Sequence, residues 1–266
     1  MQETLQFPDL LRLIDERSTA FRAAIAAAPS LDAQVPTCPE WTLADLVQHL
    51  GAGRRAWAAT IAAGPDATAK AEPRSDAVAP REREALLAWL AASTQELLDA
   101  LREAGPDRGC WGWWGKSQSP LTCAGAARRQ LHEIAVHTYD AQLTAGDPQA
   151  VPDEVALDGV EEFLLTVCTT TEPWPHEPAL VAYHATEGRS WHYWADADGA
   201  RLARLSPSGT TAATGSGEEP DAVDASMEGP ASAMVLALYG RIPLDSLKLD
   251  DGRGVFDQLV EWDPER

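Results

Sequence analysis

The chain has 266 residues, of which 45% are hydrophobic, and it carries a formal net charge of −20. That length allows one large domain or two small ones, and so acidic a surface argues against a nucleic-acid partner, because it repels phosphate backbones. No apolar run approaches the roughly 20 residues of a membrane helix, and the first residues lack the basic and apolar regions of a signal peptide. We therefore expect a cytoplasmic protein with no membrane partner.

The first two thirds of the chain predict helices, because apolar residues recur there with helical spacing. The predicted helices span residues 9–28, 43–63 after an N-cap at Thr42, 81–105, about 121–143, and 154 to about 170. Four long amphipathic helices with short or moderate connections are typical of a helix bundle. The loop at 110–123 is rich in tryptophan and glycine, and would either wall a pocket or cap the end of the bundle.

After about Pro173 the pattern changes to alternating segments around the turn sequences "EGRS" and "DADG", which predict β-hairpins. A stretch rich in glycine, serine, threonine and glutamate at 207–222 predicts a flexible segment. A strand then leads into an apolar helix that begins at Pro230. The chain is thus expected to be an α+β protein, with a helix bundle over residues 1–172 and a small α+β domain over residues 173–266.

The four cysteines, Cys38, Cys110, Cys123 and Cys168, are far apart and form no CxxC pair. This spacing argues against a structural zinc knuckle. In a cytoplasmic protein we expect them to be reduced and to have structural roles.

The fourth predicted helix contains the histidines and carboxylates that could hold a metal. Glu133 and His137 are four residues apart, so both side chains project from one face of the helix, whereas His132 is five residues from His137 and the HExxH motif is absent. His49, on the apolar side of the second helix, is the best third donor, because bundles build metal sites from facing helices. Two histidines and one carboxylate leave a position open, as in catalytic sites. The same spacing also fits an ordinary amphipathic helix with hydrogen-bonded histidines, and spacing alone leaves both interpretations open.

Two segments resemble the mycothiol-dependent maleylpyruvate isomerase family of actinobacteria, which belongs to the DinB-like metal-binding bundle superfamily. The matching positions of the first segment are Cys38, Trp41, Thr42, Asp45, Leu46, His49 and Leu50. Those of the second are His132, Glu133, Ala135, Val136, His137 and Asp140. The stretch "GPASAMVLALYGR", residues 229–241, is similar to the pattern near the end of the family's C-terminal domain, so the resemblance spans nearly the whole chain.

The resemblance implies a DinB-like four-helix bundle in which His49, Glu133 and His137 bind a divalent metal, usually zinc. It also implies that Arg241 is a catalytic residue that reaches over the metal to a substrate carboxylate, which an arginine can hold through two parallel hydrogen bonds. Alternatively, Arg241 is a surface residue that ends a helix. Asp140 either orients a ligand histidine or serves helix packing, and we expect a structural role for His132.

A metal of this kind would bind mycothiol, or a similar low-molecular-weight thiol, as a thiolate that attacks an electrophilic small molecule. If the thiolate stays on the acceptor, the reaction is S-transfer; if it leaves again, the result is cis–trans isomerisation. Because a tryptophan-lined entrance suits a bulky acceptor, we expect a thiol S-transferase, with a thiol-dependent isomerase of the maleylpyruvate type as the alternative. The same donor set would also serve a non-catalytic metal- or small-molecule-binding protein, or a metallohydrolase with a metal-bound water as nucleophile. We expect a monomer or weak homodimer.

Overall fold

The computed structural model describes residues 4–71, 78–205 and 223–262. The predicted flexible stretch at 207–222 lies outside them. Contacts within the chain define two compact units, the first formed by Met1–Trp113 with Pro120–Val151 and the second by Trp114–Ser119 with Pro152–Arg266. These units divide the chain between Val151 and Pro152. The domain boundary between residues 172 and 173 stays a prediction, because contacts alone do not test which segments fold independently.

The first unit is the predicted four-helix bundle. Its helices are α1 (Phe7–Ala27), α2 (Leu43–Ala63), α3 (Arg83–Ala104) and α4 (Cys123–Ala145), and a short antiparallel hairpin, β1 (Gln34–Val35) and β2 (Cys38–Thr42), precedes α2. The most extensive helix contacts join α1 to α4 and α2 to α3. The apolar faces of the helices meet in a core that includes Phe21, Ile25, Val35, Leu43, Leu46, Val47, Leu50, Leu90 and Ile134.

Local sequence explains where α2 and α4 begin. Thr42 Oγ1 accepts a hydrogen bond from the Asp45 amide at 3.2 Å, and the Asp45 carboxylate accepts one from the Thr42 amide at 2.9 Å. This is the predicted capping box, which satisfies amides that the first helical turn leaves without a partner. Thr122 caps α4 in a similar way, by accepting from the Gly125 amide at 3.2 Å. His49 and Glu133, two of the predicted metal ligands, therefore lie on helices with well-defined starts.

The tryptophan-rich loop packs its rings rather than leaving all of them exposed. The ring of Trp111 lies 6.1 Å from that of Trp57 on α2. Trp114, which contacts assign to the second unit, is buried, whereas Trp113 is 43% exposed. One tryptophan of the loop thus packs against the bundle and another belongs to the second unit.

The second unit is an α+β fold. It contains α5 (Asp153–Phe163), a π-helical turn (Leu164–Cys168), the strands β3 (Ala179–Ala185), β4 (Ser190–Asp196), β5 (Gly199–Arg204), β6 (Ala225–Gly229) and β7 (Lys248–Asp251), and the helices α6 (Ala231–Leu238) and α7 (Val255–Glu261). The strands form one sheet in the order β5-β4-β3-β6-β7, in which β3 and β6 are parallel and the other neighbours antiparallel. The fold class predicted from the sequence is confirmed.

Both predicted turns connect strands of this sheet. Gly188, in "EGRS", has φ of 90°, and Gly199, after "DAD", has φ of 111°. Residues with a Cβ atom rarely adopt such backbone angles, so glycine suits both turns. Along β4, Trp191, Tyr193 and Ala195 are buried while the residues that alternate with them are half-buried, as expected for a strand that packs one face on a core.

Two further expectations can be compared with the described residues. The four cysteines are unbridged, and their reduction in the cell and their structural roles stay predictions. Among the helices that the structure describes, each falls short of the length or the apolar character that a membrane crossing requires.

Candidate metal centre

Three side chains from two helices of the first unit converge on one point. His49 comes from α2, and Glu133 and His137 come from successive turns of α4. Their nitrogen and oxygen atoms lie within 4.8 Å of one another, and they form the one such group with potential metal ligands in the described part of the chain. These are the three ligands that the sequence predicts.

The contacts within this cluster are close. His49 Nε2 lies 3.3 Å from Glu133 Oε1, and the centroids of the two imidazole rings are 5.3 Å apart. The side chain of His49 is 39% exposed, that of Glu133 is 19% and that of His137 is 12%. The cluster is therefore open on the His49 side and enclosed on the α4 side.

The donor set suits a divalent transition metal. Two imidazole nitrogens and one carboxylate oxygen are ligands that zinc, iron and similar ions accept. Ligand atoms about 2.0–2.2 Å from one tetrahedrally coordinated ion lie about 3.3–3.6 Å apart, so the most distant ligand atoms would have to approach by roughly 1–1.5 Å. With three protein ligands, a fourth position would remain for a water or a substrate.

The carboxylate of Glu133 is held in the charged form that binds metals. Burial alone would raise its pKa, but the hydrogen bond with His49 and the positive charge of Arg129 lower it well below its ordinary value. Its second oxygen, Oε2, accepts a hydrogen bond of 2.6 Å from the side-chain amide of the buried Gln130. Gln130 thereby leaves Oε1 directed at His49.

Asp140 fixes the orientation of His137. Its Oδ2 atom lies 2.8 Å from His137 Nδ1, and since a carboxylate only accepts, Nδ1 carries the proton and Nε2 keeps its lone pair for the cluster. Asp140 is fully buried, and its other oxygen accepts a hydrogen bond of 2.6 Å from Thr37 Oγ1 in the hairpin. The sequence left two roles open for Asp140, orienting a ligand histidine or helix packing. The structure contains the contact with His137 that the first role requires.

Trp41 forms an apolar wall beside the cluster. Its ring centroid lies 4.7 Å from that of His49 and 6.3 Å from that of His137. Trp41 belongs to β2, immediately before the N-cap of α2. Trp41 is therefore a tryptophan that contacts the candidate site. The expected preference for a bulky acceptor rested on a different segment, the tryptophan-rich loop at 110–123, and Trp111 of that loop packs on Trp57.

Comparison with known protein families gives two matches. The family model of the mycothiol maleylpyruvate isomerase N-terminal domain matches residues 11–142, and that of the corresponding C-terminal domain matches residues 154–258. The chain belongs to the mycothiol-dependent maleylpyruvate isomerase family. The suspected resemblance is thus confirmed, and the two matched segments together span most of the sequence.

Solved structures of this family have the same fold. The crystal structure of the mycothiol-dependent maleylpyruvate isomerase matches with a TM-score of 0.54 at 13% identity and covers 92% of this chain and 93% of its own. The structure of a histidine-to-alanine mutant of that isomerase matches with the same score and coverage at 12% identity. No curated protein sequence matches the chain. At such low identity the structural likeness supports the fold alone.

Arg241, the predicted catalytic residue, follows α6 in the second unit. Its Nη1 donates a hydrogen bond of 2.7 Å to the carbonyl of Tyr239, and its amide donates one to Leu236. The side chain is half-buried. Its role toward a substrate carboxylate stays a prediction.

Arg54 is a member of the bundle that the sequence analysis missed. It lies on α2, is only 2% exposed, and donates hydrogen bonds to Ser18 on α1, at 2.8 Å, and to Thr94 on α3. Burial lowers its pKa to about 10, and the negative charge of Glu133 opposes that shift. Arg54 thus stays charged at neutral pH.

Sequence patterns offered a weak signal for some of the missed residues. Trp41 is one of the positions that match the family motif, but the motif alone assigned it no role at the site. Thr37 and Gln130 had no signal, because one contacts Asp140 from 103 residues away and the other resembles any polar helix residue. His132 is buried and lies outside the cluster, in line with the structural role predicted for it.

Proposed function

We propose that this chain is a thiol-dependent cis–trans isomerase that uses mycothiol or a similar low-molecular-weight thiol as cosubstrate. The observation that supports it most is the joining of His49, Glu133 and His137 within 4.8 Å in a chain of the mycothiol-dependent maleylpyruvate isomerase family. The family supports isomerisation better than S-transfer onto a bulky acceptor, which was our first expectation from the sequence. The packing of Trp111 on Trp57 also removes one argument for that acceptor.

We propose zinc or another divalent ion as the metal that His49, Glu133 and His137 hold. Such an ion lowers the pKa of a thiol from its free value of about 8.5, so that the nucleophilic thiolate is available at neutral pH. The residues themselves set the conditions for this binding. Asp140 keeps the proton on Nδ1 of His137. The hydrogen bond with His49 and the charge of Arg129 favour a charged Glu133, and Gln130 leaves its Oε1 turned to the cluster.

The proposed reaction regenerates the thiol. The thiolate sulfur adds to one carbon of a cis double bond conjugated to a carbonyl, and the electron pair moves onto the carbonyl oxygen. The former double bond is then a single bond and rotates. Return of the electron pair expels the thiolate and restores the double bond in the trans form. Trp41 and the enclosed α4 side of the cluster would limit water there, and Arg241 is proposed to hold a carboxylate of the substrate or thiol.

The test is an assay with purified protein, mycothiol and maleylpyruvate, in which NMR follows the cis and trans forms and the free thiol. We expect many turnovers with the thiol concentration unchanged. Consumption of one thiol per product would overturn isomerisation in favour of S-transfer. Hydrolytic cleavage of the substrate without any thiol would instead point to a metallohydrolase, and stoichiometric binding without turnover to a binding protein.

We also propose that the protein works in the cytoplasm, as a monomer or weak homodimer without nucleic-acid or membrane partners. Support comes from the net charge of −20 and the unbridged cysteines, since cytoplasmic thiols are kept reduced. Light scattering measures the oligomeric state, and a stable tetramer would contradict this part.

A further inference from the structure

The second unit contains an apolar cavity of about 350 Å³. Tyr183 on β3, Tyr193 on β4 and Met227 on β6 line it on the sheet side, and α6, α7 and the π-helical turn line it on the other. Native interiors contain few voids larger than a water molecule, whereas small-molecule pockets occupy about 300–1,000 Å³. The cavity has the size of a binding pocket rather than a packing defect.

The lining carries no formal charge among the described residues. It consists of aliphatic and aromatic side chains and the thiol of Cys168. Burial raises the pKa of Cys168 to about 12 and raises the pKa of both Tyr183 and Tyr193, so all three stay neutral at physiological pH. An anionic ligand would lose its hydration here without gaining a cationic partner among the residues that line the cavity. The hydroxyl of Tyr193 is already engaged, because it donates to the carbonyl of Cys168 at 2.9 Å.

Two further features indicate a site open to a ligand. Val167 and Val260 line the cavity and are 40% and 74% exposed, so apolar side chains continue from the interior to the surface. One wall is formed by the π-helical turn Leu164–Cys168. Such turns are rare, and they are frequent at functional sites.

We propose that this cavity binds a neutral small molecule with an alkyl or aryl body. None of its lining residues belongs to the cluster of His49, Glu133 and His137, and binding there does not depend on the proposed isomerase activity. The cavity would accept a long-chain alcohol and disfavour the corresponding carboxylate, which finds no cationic side chain among the residues that line it.

Decanol and decanoate are a matched pair of probes for this proposal, read out by the reactivity of Cys168. The full-length protein is treated with methyl methanethiosulfonate at about pH 9, where a small fraction of the Cys168 thiol is present as the reactive thiolate. Modification of each cysteine is followed by peptide mass spectrometry. If only the free protein reacts at Cys168, decanol at ten times its Kd slows that reaction about elevenfold. Cys38, in the hairpin of the first unit, is the internal reference and should react at an unchanged rate.

Two valines of nearly equal exposure supply the matched variants. Val167 lines the cavity and is 40% exposed, whereas Val223, which does not line it, is 42% exposed. Val167→Asp should weaken decanol binding at least about tenfold, because it places a charge at an apolar rim, and Val223→Asp should leave it unchanged. Decanol binding that does not protect Cys168, equal affinity for decanol and decanoate, or equal effects of the two substitutions would each overturn the proposal.

Discussion

His49 is the one proposed ligand that α2 contributes to the candidate metal centre. Its side chain is 39% exposed, so its removal costs little packing, and the apolar stripe of α2 remains. We predict that His49→Ala removes most of the roughly one divalent ion per chain that the wild-type protein would hold, while the helical circular dichroism is unchanged. Metal content is measured by elemental mass spectrometry after gel filtration. His176→Ala, at an exposed histidine of the second unit, is the control, and full metal occupancy in His49→Ala would show that the proposed site is wrong.

Asp140 would act on the proposed metal through His137 rather than directly, because it contacts that ring at Nδ1. Asp140→Asn keeps the shape of the side chain but weakens the acceptor for His137 Nδ1–H, and such orienting partners change metal affinity by about 10–100-fold. We predict a loss of that size, measured by competition with a chelating dye. Thr37→Val, which removes only the hydrogen bond of 2.6 Å to the other Asp140 oxygen, should cost less. A larger effect of Thr37→Val than of Asp140→Asn would contradict this order.

At the scale of elements, Arg54 connects three helices from inside the bundle. Its partners, Ser18 and Thr94, also donate hydrogen bonds to carbonyls of their own helices, Ile14 and Leu90. Both hydroxyls therefore stay paired if the guanidinium is removed, and the cost of burying its charge disappears as well. Arg54→Met should accordingly change the free energy of unfolding by no more than about 1 kcal/mol.

Ser18→Ala tests the same arrangement from the opposite side. It leaves a buried guanidinium N–H without its acceptor, and we predict a loss of about 1–3 kcal/mol in the free energy of unfolding. Urea denaturation measures both variants. If Ser18→Ala proved harmless and Arg54→Met severely destabilising, the guanidinium would contribute more than its burial costs.

At the same scale, the helices show how far local patterns predict structure. The capping box of Thr42 and Asp45 places the start of α2 correctly, because capping depends on four consecutive residues. The fifth predicted helix instead ends as a π-helical turn from Leu164 to Cys168. The spacing of its apolar residues does not indicate this change from α-helical to π-helical geometry. The hairpin before α2 was also missed, since β1 has only two residues, Gln34 and Val35.

At the scale of the whole molecule, the proposed reaction draws on both halves of the sequence. We predict that Arg241→Ala lowers turnover of a carboxylate substrate while metal content stays at the wild-type level, because an arginine binds a carboxylate through paired hydrogen bonds. The kinetic assay with mycothiol and maleylpyruvate measures it. Arg253→Ala is the control. It removes a partly exposed ion pair with Asp224, of a kind that contributes only about 0–1 kcal/mol. Wild-type turnover in Arg241→Ala would contradict the substrate-binding role and favour the alternative that Arg241 only ends a helix.

The sequence by itself determined the features that depend on neighbours along the chain. Helical spacing of apolar residues predicted the bundle, turn sequences predicted two hairpins, and the four-residue interval put Glu133 and His137 on one face of α4. The motif around His49 and its resemblance to a family predicted His49 as the third ligand. Each of these follows from the fixed geometry of a helix or a turn, which a short segment adopts with the same periodicity in any protein.

Only the tertiary structure decided which distant residues meet. It brought Thr37 to Asp140 across 103 residues, paired β3 in parallel with β6 although two strands intervene in the sequence, and buried Arg54, a residue type that local patterns assign to the surface. It also left a cavity beside Cys168. The reason is physical: these contacts depend on how whole faces pack and on which buried polar groups find partners, and the apolar spacing of one segment contains no information about the segment that will cover it.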